Sequence, residues 1–243
     1  MKLSGMTILA SAFLLSGCGG GGSLGKSVGN VSPDYIVVDL HTGTSTVLAE
    51  LPAMSGDMVA TKMVFRRIDS AVAKSGSLSG QPNTETDEQP VQTVAVPEYF
   101  IAVSELTQSQ WKTIAGGEPW LDAAFLSSYF PGDEAPAVAI NRADIYDAIN
   151  GWNAGRTNLN FRLPTDVEWE HACRGGSTTL FSWGDDPSPD TGAQYAHVSR
   201  PVGVGSGAGS TSTMDKVASL EANAFGLYDM HGSVWEWTST GLD

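Results

Sequence analysis

The sequence predicts a mixed α and β fold with a high loop fraction, and three observations carry that reading. Apolar, β-branched runs of strand length occur at residues 35–40 and 62–68. Three segments led by Thr or Asn then place apolar residues at helical spacing. Between them lie stretches rich in Gly, Ser and Thr, with no internal repeat and no heptads.

The first residues read as a processing segment. Lys2 supplies a positive start, and residues 6–15 form an apolar run too short to span a bilayer. The run ends in Leu15-Ser16-Gly17-Cys18, which looks like a bacterial lipoprotein signal: cleavage before Cys18 and a diacylglycerol on its thiol. The expected organisation is a signal over 1–17, a lipidated Cys18 with a Gly/Ser tether over 18–30, a leading strand extension over 31–57 and one domain over 58–243. No acidic residue follows Cys18 directly, which favours an outer-membrane anchor. With Cys18 acylated, Cys173 is the remaining thiol and no intrachain disulfide forms.

Along the domain, residues 35–40 have strand composition, and His41-Thr42-Gly43 supplies a turn. Residues 62–68 form a second strand. Residues 73–88 read as loop, and residues 91–103 as a strand that Pro97 confines to an edge or a bend. Thr107 with Gln110 makes a capping box for a short helix ended by Gly116-Gly117, with Trp111 as its core anchor. Asn141 caps a second helix to about residue 153, carrying Ile145, Ile149 and Trp152 on one face. Thr165 with Glu168 opens a third, ended by Gly175-Gly176, on which Trp169 and Cys173 pack inward. Residues 198–214 read as a long surface loop.

Composition excludes some partners. The chain carries 13 Lys and Arg against 27 Asp and Glu, a net charge of −14. That balance argues against nucleic acid and against electrostatic docking on anionic lipid. It fits cation binding, and solubility explains it equally well.

Residues 223–238 concentrate the chemistry. Gly232 permits a turn with positive φ, and beyond it alternate residues of an extended chain point the same way. The carbonyls of Gly232 and Val234 and the carboxylate of Glu236 can then converge, with Asp229 closing from the other arm. Such an all-oxygen set suits calcium, with Trp235 and Trp237 on the opposite face in a core. An ordinary hairpin with solvated carboxylates is the competing reading.

Asn223-Ala224-Phe225-Gly226-Leu227-Tyr228-Asp229-Met230-His231-Gly232-Ser233-Val234-Trp235-Glu236-Trp237-Thr238 closely resembles a signature of the formylglycine-generating enzyme (sulfatase-modifying factor) family. The run Phe161-Arg162-Leu163-Pro164-Thr165-Asp166-Val167-Glu168-Trp169-Glu170, followed by Arg174-Gly175-Gly176, resembles a second. Asp87-Glu88-Gln89-Pro90 through Glu105-Leu106-Thr107 is a looser third. The resemblance implies an α+β fold, C-type-lectin-like, loop-rich, with short twisted strands and two or three peripheral helices. It places Asp229, Gly232, Val234 and Glu236 on the family's calcium ligands. Ser233 departs from the usual Asn, and Ser182 from the usual Pro. A further calcium site would draw on Gln194 and Asp215, both poor matches.

The family's oxidases convert a sulfatase cysteine to formylglycine with a copper-binding cysteine pair placed after the tryptophan motif. That pair does not occur in this sequence, so the domain is expected to be incomplete at its C-terminus, with no catalytic residue assigned. The histidines lack the His-x-x-x-His-x-Glu spacing of the related iron-dependent enzymes, and no Gly-x-Ser-x-Gly elbow is present. Two readings stand. One is a calcium-stabilised, membrane-anchored, non-catalytic binding or scaffold module with a protein or carbohydrate ligand. The other is a fragment of a formylglycine-generating oxidase, with copper held by cysteines outside residues 1–243.

Overall fold

The computed structural model describes residues 9–11, 14–16, 34–77, 88–122, 130, 132–197 and 216–240. In chain order these form β1 (Leu9–Ser11), β2 (Leu14–Ser16), β3 (Tyr35–Asp39), β4 (Ser45–Leu48), α1 (Asp57–Ala60), β5 (Lys62–Ile68), β6 (Ala71–Ser75), β7 (Gln92–Val96) and β8 (Tyr99–Ala102). There follow α2 (Gln108–Ile114), a 3-10 turn (Pro119–Asp122), α3 (Arg142–Asn153), β9 (Asn160–Arg162), α4 (Asp166–Arg174), α5 (Pro189–Tyr195), β10 (Ala196–His197), β11 (His231–Gly232) and β12 (Trp235–Trp237).

The central sheet runs β4-β3-β5-β8-β2-β9, antiparallel throughout. Its inner strands are apolar at successive positions because both faces are covered. Ile36, Val38, Met63 and Phe65 point to one side, where α2 and α3 supply Trp111, Ile145, Ile149 and Trp152. Tyr35, Val37, Val64 and Ile68 point to the other, against Ala172 and Cys173 of α4 and Leu227. On the first side Trp152 stacks on Phe161 at 3.9 Å between ring centroids.

Helix ends fall where the capping residues put them. Thr107, Asn141 and Thr165 each accept from the backbone N–H three residues on, and Gln110, Asp144 and Glu168 reach back to the cap backbone. Gly175 closes α4 in the left-handed region at φ 58°. Glu168 also takes both prongs of Arg162, at 2.7 and 2.8 Å. Pro97 marks a bend, with β7 in a small sheet and β8 in the central one.

Two segments differ from expectation. Ala71–Ser75, within and beside the expected loop, is a strand paired with β7. Its Gly and Ser neighbours obscured five residues whose pairing comes from a partner about twenty positions away. Helix α5 was not foreseen, although Ser188 caps it and Pro189 opens it, a legible start. Residues 78–87 and 198–214, both expected as loop, lie largely or wholly outside the described residues, and so do Cys18 and Asp215.

Two described pieces of the leading segment expected to be cleaved, Leu9–Ser11 and Leu14–Ser16, are paired in this structure. β2 lies between β8 and β9, with Leu15 opposite Phe100 on one side and Phe161 on the other. β1 runs parallel to β12. An extended apolar segment here satisfies backbone groups of two strands that would otherwise be left as unpaired edges inside the molecule. Among the described residues no helix is long and apolar enough to cross a membrane.

A chain starting at Cys18 should therefore exchange its β8 and β9 amides faster than the full chain, read by hydrogen-exchange mass spectrometry. Equal protection in both would mean that β8 and β9 close on each other without β2.

Candidate functional site

The candidate site forms where the 223–237 segment meets the end of β8. Asn223 starts it. Its amide donates to the carbonyls of Ala172 (2.8 Å) and Cys173 (3.2 Å), while its oxygen accepts from the N–H groups of Phe225 and Leu227. This ties a tight turn onto the C-terminal end of α4. The Tyr228 N–H then donates to the Val103 carbonyl at 2.8 Å, which brings Asp229 beside Glu105.

Gly232 is required twice over. Its φ is 84°, and a Cβ there would lie 2.2 Å from the His197 carbonyl oxygen. That close approach comes from the pairing of β10 with β11, extended by the Ser233 N–H donating to the His197 carbonyl at 2.9 Å. Asp229 and Ser233 also take left-handed φ, 57° and 59°, so the turn is held by its surroundings rather than by local preference.

Three carboxylates converge here. Glu105, 2% exposed, accepts from Ser233 Oγ at 2.9 Å and from the Val234 N–H at 3.2 Å. Asp229, 6% exposed, accepts from the Ala218 N–H through Oδ2 at 2.6 Å. Its Oδ1 is buried with no hydrogen bond, and His197 Nε2 stands 3.9 Å away. Glu236 accepts from the indole N–H of Trp169.

Burial dominates their electrostatics. It pushes Glu236 up to about 7, with the Trp169 donor opposing and the Asp229 charge adding. It pushes Asp229 up to about 6 against the Ala218 N–H. Glu105 is raised well above the carboxylate range by burial, then by the charges of Asp229 and Glu236. Among the described residues no Lys or Arg ion pair serves any of the three.

Asp229, Glu236, Gly232 and Val234 thus lie on one turn and the strand after it. Among the described residues, however, no three His, Cys, Asp or Glu side chains gather at metal-holding spacing. A cation here would have to draw on backbone carbonyls as well. Glu105 was not assigned to the site from sequence. Its signal was a carboxylate two residues from the apolar Val103, directly before Leu106 and two residues before the helix cap Thr107.

The two tryptophans do not share a core. Trp237 packs against the first cluster and donates its indole N–H to the Ile140 carbonyl at 3.0 Å, whereas Trp235 is 75% exposed. β12 is three residues long and lies on the rim, so only its far end reaches the interior.

His171, His231 and the Cys173 thiol are packed into local hydrogen bonds. His171 is buried, bonded to the Tyr99 hydroxyl at 3.1 Å, and burial lowers its pKa. His231 Nε2 accepts from the Ser182 N–H at 3.3 Å, and burial, then the Arg174 charge, holds it at about 4. Its ring meets Phe181 and Trp183 edge-on. Cys173 Sγ donates to the Met230 carbonyl at 3.3 Å, and burial followed by the Glu236 charge pushes it up to about 12. Such a thiol is a packing group. Gln194 spends its amide on the Asp190 carbonyl within α5.

Residues 58–243 match the model of the sulfatase-modifying factor enzyme 1-like domain. The chain belongs to that family. It is 44% identical over 82 residues to the formylglycine-generating enzyme of Mycobacterium tuberculosis, covering 32% of this chain and 27% of that protein. It is 31% identical over 144 residues to the Bos taurus formylglycine-generating enzyme, covering 56% and 38%. The chain therefore spans less than half the length of these enzymes. The chaperone protein LppX of Paenibacillus barcinonensis is 25% identical over 217 residues, covering 70% of this chain and 72% of LppX. In structure, PvdO from Pseudomonas aeruginosa superposes with a TM-score of 0.59 at 21% identity, covering 74% and 72%, which places the two in one fold.

The three acids make a pH prediction for the domain with divalent cations chelated. Their folded-state pKa values are raised, so folding favours the protonated forms. The contribution is full below the ordinary carboxylate value and is lost as pH rises through about 6 for Asp229 and about 7 for Glu236. Thermal stability in chelator should fall over that window. Glu236→Gln should flatten the fall, and a Tm–pH profile unchanged by the substitution would count against a strained Glu236.

Proposed function

We propose that this family member is an exported, lipid-anchored binding or scaffold module, stabilised by calcium at the Gly232 turn and not itself catalytic. The observation that carries the reading is the contrast between the acid centre and the thiol. The turn holds buried carboxylates, one of whose oxygens, Asp229 Oδ1, makes no hydrogen bond, whereas the one described cysteine is buried and pushed up to about 12. Copper-dependent cysteine oxidation needs accessible thiolates.

The residues suit calcium chemically. The donors are hard oxygens, and a divalent cation would offset burial of the Asp229 and Glu236 charges. Asp229 and Glu236 would bind through carboxylates, Gly232 and Val234 through carbonyls. Glu105 would orient the turn through Ser233 and Val234. When bound, calcium would supply charge balance and rigidity.

The anchoring half of the reading rests on Leu15-Ser16-Gly17-Cys18 and the glycines after it, with the outer membrane as the favoured site. LppX, named a chaperone and matched over about seven-tenths of both chains, supports a non-catalytic role that engages a protein. A carbohydrate is the other ligand class considered.

The second reading, part of a formylglycine-generating oxidase, is favoured by the 44% identity over 82 residues. A sulfatase-derived cysteine peptide incubated with copper and with the protein expressed from its gene read past codon 243 distinguishes the two. Mass spectrometry should show no conversion to formylglycine; conversion would overturn the non-catalytic reading.

Calcium should raise the Tm of the chain, and Glu236→Ala should abolish the rise. No shift in the unsubstituted chain would sink the calcium site. Separately, Cys18→Ser should move the protein out of the detergent-rich membrane fraction, and unchanged partitioning would rule out acylation as the anchor.

A further inference from the structure

Among the described residues β8 and β9 are joined only through a third strand. Both run antiparallel to Leu14–Ser16, which lies between them, and both are committed on their far sides. There β8 pairs with β5. On β9 the Asn153 side chain of α3 donates to the Phe161 carbonyl at 2.9 Å and accepts from its N–H at 2.8 Å. In an antiparallel strand the N–H and carbonyl of one residue share an edge, and successive residues alternate. The main-chain groups of Asn160 and Arg162 therefore face the slot, which is a seat for one extended segment between two fixed strands.

The seat has a chemical preference. The register position of Leu15 is flanked by Phe100 and Phe161, both in the first cluster, and that of Leu14 by Ile101, in the second. A strand covered on both faces needs apolar residues at successive positions. Asn160, opposite Ser16, is half-buried, so the third position accepts a polar residue. Beyond the slot the same leading segment runs along β12, where Trp235 stands 75% exposed at the register position of Leu9. An exposed tryptophan beside the track is the kind of residue that anchors a partner.

Cleavage before Cys18 removes the occupant. The tether that remains, residues 18–33, is rich in Gly and Ser and carries Leu24, Val28 and Val31 singly, never as an adjacent pair. Glycine weakens a strand interior, so the tether makes a poor replacement. Gly241-Leu242-Asp243 offers one apolar residue beside a carboxylate, and a buried unpaired charge is costly.

We propose that the processed domain takes an extended apolar segment of another, unfolded exported polypeptide between β8 and β9, as an added strand. Main-chain bonds to the Asn160 and Arg162 groups hold the segment, and the position between Phe100 and Phe161 selects an apolar side chain. A segment apolar at successive positions is buried once its own protein folds, so the partner is an unfolded chain. A carbohydrate has no main-chain ladder to complete. This names a partner class for the binding-module reading and rests on that reading for the removal of residues 1–17, while its chemistry uses nothing from the calcium turn.

The test uses the full chain with residues 1–17 retained, and the same chain carrying Leu14→Pro and Leu15→Pro. Prolines have no N–H for a central ladder, so the substituted segment leaves the slot whether or not it is cleaved. The probes are capped, fluorescently labelled heptapeptides read by anisotropy: Ser-Ala-Phe-Leu-Leu-Ser-Gly, the unrelated Thr-Ala-Tyr-Val-Ile-Thr-Gly, and Ser-Ala-Phe-Leu-Asp-Ser-Gly. Both apolar peptides should bind the proline variant saturably and about tenfold or more tighter than they bind the unsubstituted chain, whose own segment competes at high effective concentration. The Asp peptide should bind about tenfold or more weaker than either. No saturable binding, binding of the first peptide alone, or equal binding of the Asp peptide would overturn the proposal. So would failure of both the proline variant and a Leu15→Asp chain to fold, since the domain must stand with the seat empty. The proline variant expressed from the gene read past codon 243 should bind alike; loss of binding there would mean that downstream residues fill the seat, and would also overturn it. Unchanged partitioning of Cys18→Ser would remove the anchored reading without altering these binding curves, which separates the two failures.

Discussion

Glu105 uses each of its carboxylate oxygens on a different group of the same turn, Ser233 Oγ and the Val234 N–H. Because Glu105 leads into the cap of α2, those two bonds fix the 232–234 backbone relative to the central sheet and the first helix together. The bonds are also what make the centre expensive. Holding Glu105 inside places it near Asp229 and Glu236 with few donors and, among the described residues, no Lys or Arg ion pair, so burial raises all three and neighbouring charge adds to it at Glu105 and Glu236. A proton or a cation is the means by which such a cluster is balanced, and that choice links stability to solution conditions.

The sheet explains why this arrangement persists. Strands covered on both faces supply a rigid floor, and the turn is fastened to it through Tyr228, Asn223 and the β10–β11 pair. Left-handed φ at Asp229 and Ser233 is tolerated because contacts on every side over-determine the path. The place between β8 and β9 follows the same logic. Two strands presenting unpaired backbone to each other take whatever extended segment is at hand, and here it is Leu14–Ser16.

Family membership sets the frame, and the individual side chains decide what is built inside it. Cys173, His171 and His231 look reactive as residue types, yet each is committed to a local bond and shifted by burial toward its neutral form. Phe181, Trp183 and Tyr195 stack on one another, with centroids 4.6 and 5.3 Å apart, and His231 closes the edge of the first two rings. The region holds its shape through aromatic contact and buried acid rather than through thiol chemistry.

Sequence by itself determined the features set by near neighbours. The three capping boxes, the Gly175 helix end, the Lys62–Ile68 strand and the need for glycine at 232 all rest on residues within a few positions of one another. The family signature likewise placed Asp229 and Glu236 on one turn. Only the tertiary structure decided what depends on distant partners. It brought Glu105 to a turn 128 positions away, left Asp229 Oδ1 without a hydrogen bond among the described residues, made a strand of Ala71–Ser75 and exposed Trp235. Local pattern reports how a segment can bend and which way its side chains alternate. Which buried charges end up side by side depends on the packing of the whole chain, and no short window of sequence contains it.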